Sequence, residues 1–135
     1  MSTQQVFTFQ QQLSEIQQWI EKEQTFVLNI VAQWCTDCTQ QQSRYIASFS
    51  NQLASAGIEF AQLLAQTDKH VYLSEQVQRF VENLGGHGFP RTLLFVNGVA
   101  SEASYVEVIT QQGLEALAGH FIAQHNHESI RLTKR

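Results

Sequence analysis

The sequence predicts an α/β fold in which a central mixed β-sheet is flanked by helices. Three observations carry that prediction. Short, almost wholly apolar runs alternate with segments whose apolar residues recur at helical spacing. Gly57 and the Gly85-Gly86 pair stand where helical periodicity stops, as chain-terminating glycines do. Asn97-Gly98 separates two strand-like runs and is the strongest hairpin signal in the chain, so at least one strand pair is antiparallel.

Taken in order, Val6 to Phe9 reads as a short first strand. Leu13, Ile16, Trp19 and Ile20 fall on one face of a helix over residues 11–23. Phe26 to Val31 is nearly all apolar, the pattern of a strand buried on both faces. Tyr45, Ile46, Phe49 and Leu53 then mark a long helix ending at Gly57, and Ile58 to Leu64 is the next strand. Val71, Val77, Phe80, Val81 and Leu84 outline a third helix. Thr92 to Val96 and Ala100 to Val106 are the two arms of the hairpin. Thr110 is a cap for a last helix whose apolar face is Leu114, Leu117, Phe121 and Ile122. The expected order is β-α-β-α-β-α-β-β-α. The glutamine runs, Gln10-Gln11-Gln12 and Gln40-Gln41-Gln42, are expected on solvent-facing sides of helices.

A chain of 135 residues suits one domain, here residues 1–124, with a frayed tail over 125–135. With 43% apolar and 15% charged residues and a net charge of −4, the composition is that of a globular protein. It lacks the basic excess that neutralising nucleic-acid phosphates requires. No apolar run approaches a membrane-spanning length, and the N-terminal segment has no signal-peptide pattern. The expected location is therefore the cytoplasm, with neither nucleic acid nor membrane as a partner. In that reducing compartment two cysteines three positions apart make a poor structural staple, which leaves catalysis or metal binding.

Those cysteines lie in Trp34-Cys35-Thr36-Asp37-Cys38, where a buried strand hands over to a helix. The first helical turn offers free N–H groups and the positive end of the helix dipole, both of which favour a thiolate over a thiol. Two intervening residues on that turn let the sulfurs close a disulfide and reopen it. Cys35, at the exposed end, is the expected nucleophile; Cys38, one turn in, resolves the mixed disulfide. The same spacing is half of a zinc site, for which His70, His87, His120, His125 and His127 are the available imidazoles. The close pair His125-x-His127 lies on a tail with no reason to reach the cysteines, so no metal is expected. A second motif favours redox chemistry: the single proline, Pro90, opens an apolar strand in Gly88-Phe89-Pro90-Arg91-Thr92-Leu93-Leu94-Phe95-Val96.

Trp-Cys-x-x-Cys after a buried strand, followed by a Gly-Phe-Pro step into an apolar strand and an Asn-Gly turn, resembles the thioredoxin superfamily over roughly residues 6–124. The resemblance implies a thioredoxin-like fold and a redox-active Cys35–Cys38 disulfide in place of a bound cofactor. It also implies a cis Pro90 facing the cysteines, a Phe89 backbone that pairs with a substrate strand, and a Trp34 that shields the disulfide and offers an apolar docking surface. Protein disulfides would be the substrates and a thiol-reducing electron donor the second partner.

The sequence also departs from that family. The buried Asp expected behind the second cysteine is Asn29, and the Lys expected near it falls at Gln62. Both are neutral amides that cannot shuttle a proton. Asp37 stands where Pro or His is common, and Glu107 where a Gly usually lies beside the site. Asp37 opposes a nearby thiolate and would make the pair more reducing than a Cys-x-His-Cys site; the alternative is a helix-dipole partner of little redox effect. Thr36 is the remaining residue between the cysteines. Arg91 is expected to be a surface charge of no measurable consequence, the alternatives being to balance Asp37 or Glu107 or to contact an acidic substrate segment. The leading expectation is a dithiol reductase. The competing one is a thioredoxin-fold adaptor with little redox turnover, which Asn29, Gln62 and Glu107 keep open.

Overall fold

A computed structural model describes residues 7–86 and 88–133. Its sheet has five strands in the order β3-β2-β1-β4-β5. These are β1 (Phe26–Ala32), β2 (Glu59–Asp68), β3 (Val71–Tyr72), β4 (Arg91–Val96) and β5 (Val99–Val106). The helices are α1 (Leu13–Glu21), α2 (Ile46–Ala54), α3 (Glu75–Asn83) and α4 (Gln111–Thr133). The sheet is mixed, as expected: β1 runs parallel to β2 and antiparallel to β4.

Every residue of β1 is buried, because the strand is central and covered on both faces. Ile16 of α1 and Val77 and Val81 of α3 pack with Phe26, Leu28 and Ile30 on one side. On the other, Ile46, Phe49 and Leu53 of α2 meet Leu114, Leu117 and Phe121 of α4 over Val27, Phe60 and Leu94. Phe26 and Phe95, partners across β1 and β4, stack with centroids 4.6 Å apart. Burying a side chain of this size contributes on the order of 2–3 kcal/mol. Asn97 and Gly98 turn the β4–β5 hairpin with φ of 52° and 81°, the left-handed pair that this turn demands. A Cβ at Gly98 would collide with the Ile20 carbonyl oxygen, so the glycine also lets the hairpin close against the end of α1.

Several elements differ from expectation. In place of the strand expected over Val6 to Phe9, Phe7 to Phe9 are loop and turn, followed by one bridge, Gln10 with Gln62; Val6 lies outside the described residues. The helix expected to run on from the cysteines is broken into a π-helical turn (Asp37–Gln41), a 3₁₀ turn (Gln42–Arg44) and then α2. Hydroxyl back-bonding accounts for the widened turn: Thr39 Oγ1 donates to the Cys35 carbonyl at 3.1 Å and Ser43 Oγ to the Thr39 carbonyl. Gln42 is turned inward and fully buried, with its Nε2 donating to the Val108 carbonyl, so it departs from the solvent-facing reading of its run. Val71 belongs to the edge strand β3 rather than to α3, because Ser74 Oγ accepts from the Val77 N–H and starts the helix there. The observed order is therefore α-β-α-β-β-α-β-β-α. Thr110 caps α4 as expected, accepting from the Gly113 N–H at 3.0 Å. That helix continues past residue 124 to Thr133, since no glycine or proline interrupts the sequence from 120 to 133.

Candidate active site

The C-terminal end of β1 delivers Cys35 to the start of the π-helical turn, with Cys38 one turn further. Both are free thiols, and both are buried, Cys35 at 6% exposure and Cys38 at 1%. The difference in setting matters more than those figures. Cys35 lines an open cleft of about 310 Å³, and Cys38 does not. The Cys38 N–H points at Cys35 Sγ, 3.3 Å away, and Cys35 Sγ donates to the Phe89 carbonyl at 3.6 Å. Burial pushes the Cys38 thiol far above its ordinary range. Its contact with Cys35 and the charges of Cys35 and Asp37 push the same way, against a smaller opposing contribution from the Ala32 backbone. Cys38 is therefore held as a thiol.

Gly88 and Phe89 form the opposite wall, and a cis peptide bond joins Phe89 to Pro90, which does not itself line the cleft. The Phe89 ring meets Trp34 edge-on at 6.1 Å. Trp34 is 37% exposed and fixed from two further directions. Its Nε1 donates to Gln66 Oε1 at 2.9 Å, and Lys69 Nζ lies 5.5 Å from its ring centroid. Thr36, Asp37 and Glu107 complete the rim of the cleft. Glu107 has a φ of 60°, the left-handed region that a glycine adopts freely, and its N–H donates to the Pro90 carbonyl at 2.8 Å.

Asn29, Gln62 and Arg91 are not in the cleft. Asn29 lies opposite Gln62 on β2 and Thr92 on β4 in the strand register. Gln62 Nε2 donates to Asn29 Oδ1, and Asn29 Nδ2 donates to Thr92 Oγ1, each at 3.0 Å. Gln62 Oε1 accepts from the Phe9 N–H at 3.4 Å. The result is a buried polar row across three strands whose hydrogen bonds close on one another.

Arg91 overturns the surface reading. It is buried at 8% exposure, and its Nη1 donates to Ser104 Oγ at 2.6 Å. Glycine makes the room: a Cβ on Gly85 would sit 2.6 Å from Arg91 Nη1 and one on Gly88 would sit 3.4 Å from Nη2. Burial lowers the Arg91 pKa from its ordinary value, partly offset by nearby Tyr72.

Gln66 and His70 also line the cleft, and neither was expected in a redox role. Gln66 had a signal, since Gln62 and Gln66 are the polar residues in the otherwise apolar run from Phe60 to Gln66. His70 had none, because its place depends on the β2–β3 turn. Among the described residues, no group of three or more His, Cys, Asp or Glu side chains is placed to hold a metal ion. His87 lies outside the described residues.

The fold recurs in solved structures. Thioredoxin from Fasciola hepatica aligns with a TM-score of 0.59 at 13% identity, covering 82% of this chain and 94% of its own. A chloroplastic thioredoxin z aligns at 0.61 and 10% identity, covering 90% and 99%. The fold is that of thioredoxin. Trxlp from Edwardsiella tarda is similar in the same way, at 0.59 and 13% identity over 83% of this chain and 95% of that one. No protein-family model and no curated protein matches the chain by sequence. The likeness is thus one of architecture. Among the described residues no helix is long and apolar enough to cross a membrane.

Proposed function

We propose that this protein is a thiol–disulfide oxidoreductase that reduces protein disulfides through Cys35 and Cys38. The observation that carries the reading is the asymmetry of the pair: one sulfur faces an open cleft, and the other is buried behind it as a thiol with its own N–H aimed at the first.

In the forward direction the Cys35 thiolate attacks one sulfur of a substrate disulfide. A Cys35–substrate bond forms, the substrate S–S bond breaks, and the departing sulfur takes the electron pair and then a proton. Cys38 then loses its proton and attacks Cys35 Sγ, forming the Cys35–Cys38 disulfide and expelling the second substrate thiol. The substrate gains two electrons and two protons, and the protein loses both. A thiol donor restores the dithiol, and the reducing cytoplasm is the compartment that suits this cycle. Trp34 and Phe89 supply the apolar docking surface, and the Phe89 backbone is the edge against which a substrate strand pairs.

The test is reduction of insulin disulfides with dithiothreitol as electron source. The reading expects turnover above the uncatalysed background that Cys35→Ser abolishes. Turnover equal to background would instead support the adaptor role.

A further inference from the structure

Disulfide cleavage expels a thiolate, and the better a thiolate is stabilised or protonated as it leaves, the faster the step. The buried polar row cannot supply that proton, because Asn29 and Gln62 are amides bonded to each other. On the cleft rim Asp37 and Glu107, when ionised, are acceptors only. The Lys69 ammonium is engaged over the Trp34 ring.

His70 is different. It lines the same cleft as Cys35, Asp37 and Glu107, and Lys69 precedes it on the same turn. It is the second residue of the Lys69-His70 turn, between Asp68 and its partner Val71. Its φ of 69° is one that glycine or asparagine would adopt at less cost. Gln66 Oε1 accepts from the His70 N–H at 3.1 Å and from Trp34 Nε1 at 2.9 Å. One buried amide thus fixes the imidazole's backbone and the docking indole together. Imidazole is also the side chain best suited to give and take a proton near neutral pH.

We propose that His70 is the general acid of disulfide cleavage, protonating the substrate sulfur expelled when Cys35 attacks. The assignment rests on the reductase reading. In the step the Cys35 thiolate forms a bond to the near substrate sulfur and the substrate S–S bond breaks. The far sulfur leaves with the electron pair, and the imidazolium transfers one proton to it, becoming neutral. The products are the mixed disulfide, one substrate thiol and a neutral His70.

Leaving-group dependence tests this. Pre-reduced wild type and His70→Gly are compared in single-turnover reduction of a dialkyl disulfide and of a nitroaryl disulfide, whose departing thiol is already acidic. Glycine suits the backbone at this position, so the variant keeps its turn. The dialkyl reaction should slow about 100-fold, the scale of general-acid catalysis, while the nitroaryl reaction stays within about twofold. Added imidazole should restore part of the dialkyl rate. Equal slowing of both reactions, no slowing of either, or no response to imidazole would each overturn the assignment. If wild type reduces neither disulfide, the reductase reading itself falls; if wild type is active and His70→Gly matches it, only the role of His70 falls.

Discussion

The buried row Asn29–Gln62–Thr92 and the cleft rim are built on opposite logics. In the row, neutral groups lie opposite one another in register and their hydrogen bonds close on each other. On the rim, charged and aromatic groups face open space, and two residues, His70 and Glu107, occupy left-handed backbone that glycine would adopt more readily. A closed polar network lends the sheet definition and does no proton chemistry. Strain kept beside a nucleophile marks where chemistry is done. Under the proposed function, structure belongs to the row and reactivity to the rim.

Breaking the row should give the largest effect on stability. Asn29→Leu leaves the Gln62 amide and the Thr92 hydroxyl buried without their partner, and should cost about 2–4 kcal/mol in urea unfolding. Turnover per folded molecule should be unchanged; a matching loss of turnover would mean that the row takes part in the chemistry.

Alkaline pH probes the buried cysteine next. Cys38 is held above its ordinary 9.0 in the folded state, so its contribution to stability is complete below that pH. Above it the unfolded chain releases the proton while the folded chain keeps it, and stability falls by up to about 1.4 kcal/mol per pH unit. Tyr72, also raised by burial, adds to the fall above its ordinary 10.0. Under reducing conditions, Cys38→Ala should flatten the slope between pH 9 and 10, the interval below the Tyr72 contribution.

On the rim, Glu107→Gly should raise stability by about 1 kcal/mol in urea unfolding, by relieving a left-handed φ. No gain would show that the conformation carries no strain. The smallest effect is expected for Asp37→His. Exchanging a charge that opposes thiolate for one that favours it should raise the reduction potential by about 15 mV, equivalent to about 0.7 kcal/mol. An unchanged potential in glutathione equilibration would leave Asp37 as a helix-dipole partner only.

What the sequence made legible follows the same division. The Cys35–Cys38 pair, Pro90, the Asn97-Gly98 turn and the Thr110 cap are local patterns, readable without knowing what lies across the sheet. The amide character of Asn29 and Gln62 was readable, but their mutual pairing was not, because register is set between strands far apart in the chain. The burial of Arg91 depends on space left by Gly85 and Gly88, and the position of His70 on a two-residue turn inside what reads as the lead-in to a helix. The break between the cysteines and α2 was hidden because Tyr45, Ile46, Phe49 and Leu53 keep helical spacing beyond it.

The central claim is that Cys35 attacks and Cys38 resolves, and trapping tests it most directly. Reduced Cys38→Ser and Cys35→Ser, each incubated with a disulfide-bonded protein, are examined by intact-mass spectrometry without reductant. Cys38→Ser should accumulate a one-to-one mixed disulfide through Cys35, while Cys35→Ser, its remaining thiol buried at 1% exposure, should form none. Adduct on Cys35→Ser alone, on both variants equally, or on neither would contradict the account.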